Sequence, residues 1–276
     1  MAQPEIQIPE GTPVEETPAG DVEMEEEVEE SILPDLEPEL PVRTTFLDYL
    51  KSPIIELAVG SGDHQTTLWA HQAMLIKSPY FANLCAQFPE GATQRRIDLP
   101  TEDLAATGSV LEYLYNNEYF PRRLSSAKDS ALEPDPSLPS PDTTGLALLK
   151  HARIYTLADK FQLPALKSLA HAKIHRTSST AKGEIAYARY VYKETSKDDV
   201  TIRRPVAAFW ATRSHVLRHD AEEEFKAMCL EFPQFGFDVL SLVLDQKEKK
   251  TEARHVEPSV VPGSAHGRKR ARVSQG

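Results

Sequence analysis

The sequence predicts an α+β fold, in which a small mixed sheet and a cluster of helices are followed by a further set of helices. Two apolar strand patterns form a hairpin at residues 54–70, and a third short strand pattern lies at residues 95–99. Helical spacing of apolar residues dominates from residue 144 onward. Both ends of the chain lack such patterns, so we expect disordered termini around one folded region.

Charge is distributed unevenly along the 276 residues, whose net charge is −11. Residues 1–41 hold fourteen acidic and no basic side chains, whereas residues 245–276 hold eight basic and four acidic ones. The chain between them is balanced, with 24 acidic and 23 basic side chains. A Glu- and Pro-rich segment cannot bury enough apolar surface to offset its chain entropy, so residues 1–41 are expected to be a disordered acidic tail, either solvated or recognised by a partner.

Membrane and disulfide patterns are missing from the sequence. No window reaches the roughly 18 to 20 consecutive apolar residues that a membrane helix needs, and the N-terminus has no apolar signal segment. We therefore expect a soluble, intracellular protein without a membrane partner. Cys85 and Cys229 each lie in a helical apolar pattern, which favours two buried free thiols over a disulfide or a reactive nucleophile.

The first predicted elements are a short apolar cluster at residues 46–50 and the hairpin. The strands of the hairpin occupy residues 54–60 and 66–70, and a Gly-containing turn joins them at residues 61–63. A loop at residues 86–94 precedes the third strand.

A helical region follows the hairpin, and Pro79 lies inside it. Proline removes a backbone donor and restricts the residue before it, so one helix is expected to end at Lys77 or Ser78 and the next to begin at Pro79. The spacing predicts a buried face that consists of Ala73, Ile76, Tyr80 and Leu84.

Residues 101–115 carry a helix-start signature, in which Thr101 caps the helix and two acidic residues follow at the positive end of its dipole. Asn116 and Asn117 suit a left-handed turn after it. The side chains expected to face the core are Leu104, Val110, Leu111, Leu114 and Tyr115.

Residues 121–142 interrupt this pattern with Pro- and Ser-rich groups, and a loop of that length is typical of a mobile surface insertion. Residues 144–175 predict two helices joined by a turn at residues 162–164. Apolar residues cover most of both helices, so we expect the pair to be buried on more than one side.

Several motifs occur in a fixed order along the folded region. They are His71 before a helix, the run Ser78, Pro79, Tyr80 and Phe81, an Ile-Asp-Leu-Pro group with Asp98, a Leu-Glu-Tyr-Leu-Tyr group with Tyr113 and Tyr115, and an Ile-Tyr-Thr-Leu-Ala-Asp group with Tyr155 and Asp159. This order resembles the BTB/POZ domain in its filamentous-fungal form. The helical patterns at residues 184–192, 203–218, 222–229 and 232–240 are similar to the extension that follows the domain in those proteins.

The resemblance divides the chain into four parts: an acidic tail at residues 1–41, a BTB/POZ domain at 42–176 with an insertion at 121–142, a helical extension at 177–246, and a disordered basic tail at 247–276. Three features depart from the family pattern. Pro53 and Ile54 stand where an acidic residue usually opens the first strand, Gln72 replaces a usual Lys, and the insertion is longer than usual.

The resemblance implies a non-catalytic protein-protein interaction module that self-associates, acts as an adaptor, or does both. In BTB proteins that recruit a cullin-type ubiquitin ligase scaffold, a hydrophobic-x-Glu motif precedes the third strand, and Phe88-Pro89-Glu90 occupies the similar place. Phe88 and Glu90 are therefore candidate cullin contacts, with loop packing as the alternative. The candidate homodimer contacts are Phe46, Leu47, Tyr49 and Leu50, which could equally cover the domain's own core.

Patterns that carry catalysis or bind cofactors are missing from the sequence. There is no Cys-x-x-Cys or His-Glu-x-x-His pattern, no phosphate-binding glycine loop and no nucleophile elbow. His171 and His175 could present two imidazoles on one helix face, but no third metal ligand is in view. His71 is interpreted as a core-anchoring residue whose ring bonds to backbone. We therefore predict no enzyme activity, cofactor or small-molecule substrate, and keep an enzyme with an unrecognised site as a third hypothesis.

The C-terminal segment contains a basic cluster, Arg268, Lys269, Arg270 and Arg272, that fits a nuclear-import pattern. Such a cluster can also contact phosphates non-specifically or have no function. No zinc finger or other base-reading motif accompanies it, so specific nucleic-acid binding is not expected. The expected location is nucleus or cytoplasm, and the alternative function is a nuclear regulatory scaffold in transcription or chromatin.

Overall fold

Ten α-helices and a three-stranded sheet make up the part of the chain that this computed structural model describes, residues 45–125, 131–138 and 142–256. The α+β prediction is confirmed. The predicted acidic tail at residues 1–41 and the basic cluster at residues 268–272 lie outside the described residues.

The sheet has the strand order β2-β1-β3. β1 (Ile54–Val59) pairs antiparallel with β2 (Thr66–His71) and parallel with β3 (Arg96–Leu99). Side chains alternate between the two faces of each strand, and one face is the core face, with Ile55, Leu57, Val59, Ile97 and Leu99 buried. The other face carries Trp69, which pairs with Glu56 across the hairpin and is 67% exposed.

Two short helices, α2 (Gln72–Leu75) and α3 (Pro79–Cys85), follow the hairpin. The predicted start of the second helix at Pro79 is confirmed, with proline in its preferred first position. The first helix ends at Leu75, earlier than predicted.

The buried face predicted for these two helices was wrong. The side chains that are buried are Met74, Leu75, Ser78, Phe81 and Cys85. Ile76 is exposed, and Ala73, Tyr80 and Leu84 are half-buried. The non-helical residues between α2 and α3 rotate the second helix relative to the first, so a single helical period does not extend through both.

The next helix, α4 (Leu104–Asn116), begins later than predicted. Asp103 is its N-cap in place of Thr101, since its carboxylate accepts a hydrogen bond from the Ala106 backbone N at 2.8 Å. The later start leaves Leu104 exposed at the first helical position, so its predicted core role was wrong. Val110 and Leu114 are buried as predicted. Asn117 ends the helix in the left-handed conformation with φ of 56°.

The described residues of the predicted insertion are anchored at both ends. Arg123 and Leu132 form an antiparallel bridge, and Pro121 is buried. Asp142 is also buried, and its carboxylate accepts hydrogen bonds from four successive backbone N–H groups at the start of the next helix. The prediction of a purely surface loop was therefore wrong at these positions.

Six helices complete the fold. They are α5 (Leu146–Lys160), α6 (Pro164–Ile174), α7 (Ala181–Glu194), α8 (Val200–Asp220), α9 (Glu222–Glu231) and α10 (Pro233–Val256). The predicted helix pair and its turn are confirmed as α5 and α6. α5 packs against α4, α6 and α7, which agrees with burial on more than one side. α10 continues past Gln246, where the predicted helical extension ends.

One hydrophobic core extends from the sheet into the C-terminal helices. It includes Leu57 of β1, Tyr155 of α5, Trp210 of α8 and Phe235 of α10. The Trp210 ring lies 5.3 Å from that of Phe225 and 6.3 Å from that of Phe235, measured between centroids. Aromatic rings therefore join α8, α9 and α10 to this core.

Candidate interaction surfaces

The first helix, α1 (Phe46–Leu50), presents apolar side chains to solvent. A capping box fixes its start, in which the Asp48 carboxylate accepts a hydrogen bond from the Thr45 backbone N at 2.7 Å. Phe46 is 55% exposed and Leu47 is 57% exposed. Leu50 is exposed as well. We call Phe46, Leu47 and Leu50 the α1 surface.

Tyr49 is the one partly covered residue of α1. The Lys77 ammonium lies 5.0 Å from the centroid of its ring, which ties α1 to the end of α2. The interpretation that the cluster covers the domain's own core was wrong for the three residues of the α1 surface, which are exposed.

A second exposed apolar group lies on α10. Phe237, Leu240 and Leu244 are exposed and recur at the spacing of one helix face, whereas Phe235 and Val239 are buried on another face. We call Phe237, Leu240 and Leu244 the α10 stripe. The sequence does not predict this stripe, because apolar residues lie on both faces of the helix and their spacing does not show which face the core covers.

The loop between α3 and β3 holds the two candidate cullin contacts. Phe88 is half-buried and packs against the hydrophobic core. Glu90 is exposed. Much of the Phe88 side chain is thus used in loop packing, while the Glu90 carboxylate is free to meet a partner.

His71 joins the end of the hairpin to α4 through Tyr115. The Tyr115 hydroxyl oxygen accepts a hydrogen bond from the His71 backbone N at 2.9 Å, and the ring Nδ1 lies 2.7 Å from the same oxygen. Because that oxygen already accepts one hydrogen bond, its hydrogen can be donated to Nδ1. The predicted bond from the ring to backbone was wrong, since the partner is a side-chain hydroxyl.

Ser78 joins α3 to the end of α5. Its hydroxyl donates a hydrogen bond to the Phe161 carbonyl at 2.6 Å and accepts one from the Phe81 backbone N at 3.3 Å. The Phe161 ring lies 4.6 Å from the Phe81 ring and 5.0 Å from the Tyr80 ring. The Ser78-Pro79-Tyr80-Phe81 motif is thus a packing unit, with Pro79 on its exposed side.

Three more of the motif residues bond to neighbouring charged groups. The Tyr155 hydroxyl donates to the Asp199 carboxylate at 3.0 Å, and burial, followed by this carboxylate, raises the pKa of Tyr155 to about 12. Asp159 accepts a hydrogen bond from the Lys167 ammonium at 2.7 Å. On the exposed face of β3, Asp98 pairs with Arg96 at 2.9 Å.

Tyr113, the last of the motif residues, is half-buried on α4. Burial raises the pKa of its phenol, so the side chain stays neutral near pH 7.

The His and Cys side chains of the described residues do not form a metal centre. His171 and His175 are neighbours as predicted, with their Nε2 atoms 3.1 Å apart. No group of three or more His, Cys, Asp or Glu side chains in the described ranges could hold a metal ion. Both cysteines are free thiols, although Cys229 is half-buried instead of buried. Burial raises the pKa of both thiols, so they are protonated near pH 7.

A buried lysine lies in α6, and the sequence pattern does not predict it. Lys173 is fully buried in α6, pairs with Glu118 at 2.6 Å and donates to the carbonyl oxygens of Tyr119 and Pro121. The Tyr119 hydroxyl lies 2.9 Å from Nδ1 of buried His151. This network holds the segment after α4 against α5 and α6. A lone lysine in an amphipathic helix gives no signal of burial, because its partners are distant in sequence.

None of the single helices in the described residues is both long and apolar enough to cross a membrane. α9 and the first part of α10 form a pair with a bend of 112° between them, and this bent pair passes the same test by length and composition.

No family model and no curated protein matches the chain significantly.

Proposed function

We propose that this chain is a non-catalytic protein-protein interaction module of the BTB/POZ type, which self-associates and links partner proteins. The observation that carries the proposal is the α1 surface, where a well-capped helix presents apolar side chains to solvent. Exposed apolar groups of this kind mark interaction sites.

The assignment to the BTB/POZ type draws support from the order of the elements. A hairpin, two short helices and a third strand make a small mixed sheet, and helices follow on the same core. These are the features that the resemblance implies.

The roles of the motif side chains also support an interaction module. The hydroxyl of Ser78 bonds to the Phe161 carbonyl, and the hydroxyl of Tyr155 bonds to Asp199. His71 and Tyr115 bond to each other. Polar groups that join one element to another in this way stabilise a scaffold.

Co-purification of two differently tagged copies of the full chain tests self-association through α1. The variant Phe46→Glu with Leu47→Glu is expected to lose co-purification, because it places two charges in an apolar contact. The matched control is Phe237→Glu with Leu240→Glu in the α10 stripe, which is expected to retain it. If only the α10 control loses co-purification, the contact between copies lies on α10 instead of α1. If both variants retain co-purification, self-association through either surface is contradicted.

The adaptor role is tested by cullin recovery in a pull-down. Phe88→Ala combined with Glu90→Ala is expected to abolish recovery, since it removes an apolar contact and a carboxylate together. Asp63→Ala, which removes an exposed carboxylate from the hairpin connection, is the control. Unchanged recovery with the double variant, or no cullin with the unmodified chain, would refute this role.

The alternative function, a nuclear regulatory scaffold, is supported by the basic cluster at residues 268–272. A fluorescent fusion of the full chain is expected to enter the nucleus, and a fusion without these residues to lose that enrichment. Equal cytoplasmic signal from both fusions would remove this alternative.

A further inference from the structure

A cavity of about 510 Å³ lies among α6, α7 and α8, away from the two exposed apolar surfaces. Glu184 and Tyr187 of α7 line it, together with Phe209 and Arg213 of α8. Leu217 contributes to an aliphatic part of its wall. The cavity therefore combines polar groups with an apolar surface, as small-molecule sites do.

Two buried polar side chains in this cavity have no partner. Glu184 is 9% exposed and Tyr187 is 5% exposed. Neither side chain forms a hydrogen bond or an ion pair with any residue in the described part of the chain. The carboxyl oxygens of Glu184 and the hydroxyl of Tyr187 are not among the fully buried polar atoms that lack a hydrogen bond, so both polar ends face the cavity and are available to water or a ligand.

Charge in the cavity is divided between its interior and its rim. Arg213 is exposed, and its guanidinium carbon lies 4.4 Å from the centroid of the Phe209 ring. It does not form an ion pair with Glu184, although it acts on that carboxyl electrostatically. A carboxyl group inside and a guanidinium at the rim are complementary to a ligand that carries both charges.

We propose that this cavity binds a small zwitterion, an α-amino acid with an aliphatic side chain. The ammonium group lies between Glu184 and Tyr187, because its three donors can satisfy the carboxylate and the hydroxyl oxygen together. The carboxylate of the ligand pairs with Arg213. The aliphatic side chain contacts the wall around Leu217.

Protonation of Glu184 gives this binding a pH dependence. Burial raises the pKa of Glu184 to about 7, while Arg213 acts in the opposite direction. The other titratable groups that line the cavity are Tyr187 and His175, and burial and the neighbouring His171 lower the pKa of His175. The carboxylate form of Glu184 is needed for an ammonium ligand, so affinity falls as pH decreases through about 7.

Calorimetric titration of the full chain with three probes tests the proposal. L-leucine is expected to bind at about pH 8, where Glu184 is ionised. Isoamylamine lacks the carboxylate and 4-methylpentanoate lacks the ammonium, so each is expected to bind at least about tenfold more weakly than leucine. No heat of binding at about 10 mM leucine, or equal affinity for leucine and either analogue, would overturn the proposal.

Matched variants test the roles of the Glu184 carboxylate and the Arg213 guanidinium in binding the ligand. Glu184→Gln and Arg213→Gln are each expected to weaken leucine binding by about tenfold or more, and Glu222→Gln, at the start of α9, to leave it unchanged. Affinity of the unmodified chain should fall between about pH 8 and pH 6, and Glu184→Gln should remove that dependence while His175→Gln preserves it. Unchanged affinity in Glu184→Gln, with circular dichroism showing the folded chain, would refute the site.

Discussion

Two glycines allow a close approach between the start of α5 and the first turn of α7. Gly145, just before α5, has φ of +77°, and a Cβ there would lie 2.5 Å from the carbonyl oxygen of Gly183 in α7. A Cβ on Gly183 would lie 2.9 Å from the Cα of Gly145. The first turn of α7 can therefore rest on the start of α5 only when neither residue carries a side chain.

Replacing Gly145 with alanine should destabilise the protein. We expect a loss of about 1 to 3 kcal/mol in the free energy of unfolding, because the new methyl group meets backbone and the left-handed conformation is strained. Gly108→Ala is the matched control, since open space surrounds that position in α4, and it should raise stability by about 0.5 to 1 kcal/mol. Urea unfolding measures the free energy of unfolding of both variants. If the two substitutions change it in the same direction, this explanation of the two glycines is contradicted.

The buried His151 should make stability depend on pH. Burial, followed by the charges of Lys173 and Lys150, lowers the pKa of His151 from 6.5 to about 3. Protonation therefore favours the unfolded chain, and stability that is complete above pH 6.5 is lost as pH falls toward about 3. The expected loss from this group is about 2 to 3 kcal/mol at about pH 4.5.

Urea unfolding of His151→Gln across the same pH range tests this expectation. The variant keeps a hydrogen-bonding side chain near Tyr119 but does not titrate, so the difference in unfolding free energy between the two proteins should shrink as pH falls. Glu184 acts with the opposite sign because burial raises its pKa, but it is present in both proteins and cancels in the difference. If the difference in unfolding free energy between the two proteins stays constant with pH, His151 is not the source of the pH dependence.

At the scale of elements, the short helix α3 depends on the hydroxyl group of Ser78. Ser78 is fully buried, caps α3 and bonds to the last turn of α5. Helices of this length are unstable alone, so tertiary bonds must hold them.

Ser78→Ala should therefore destabilise the protein by about 1 to 3 kcal/mol, since it removes a cap and leaves the Phe161 carbonyl without this donor. Ser61→Ala is the control, because Ser61 is exposed and its side chain makes no capping hydrogen bond. It should change stability by less than about 0.5 kcal/mol. Equal effects of the two substitutions in urea unfolding would count against the role of Ser78.

Elements with a strong local signal could be predicted from the sequence. The hairpin, the helix start at Pro79 and the turn between α5 and α6 each depend on residues close together in the chain. The predicted N-cap of α4, Thr101, was wrong, because Asp103 also suits a cap and tertiary packing decides between the two. The spacing of apolar residues also failed to predict the buried face of α2 and α3. The non-helical break between these two helices determines which side chains are buried.

Contacts between distant segments were beyond the reach of the sequence. The His71 to Tyr115 bond and the Lys173 network join residues far apart in the chain. Tertiary packing of the helices likewise determines that the α1 surface is exposed. It also determines that the Glu184 side chain has no hydrogen-bond partner in the described part of the chain. Sequence analysis named Phe46 and Leu47 as contacts, but only the fold shows that the core leaves them uncovered.

At the scale of the whole molecule, one core supports both the sheet and the C-terminal helices. Residues from β1 to α10 belong to the same buried cluster, and the described residues fall within one compact unit. The apolar side chains that this core leaves exposed on α1 therefore belong to a folded surface, on which we propose that a second copy docks.

Sedimentation velocity of the full chain over a range of concentrations tests self-association most directly. We expect the unmodified chain to shift from monomer to dimer as concentration rises, and the α10 variant Phe237→Glu with Leu240→Glu to do the same. The variant Phe46→Glu with Leu47→Glu should remain a monomer throughout. A concentration-independent monomer for the unmodified chain would contradict the account.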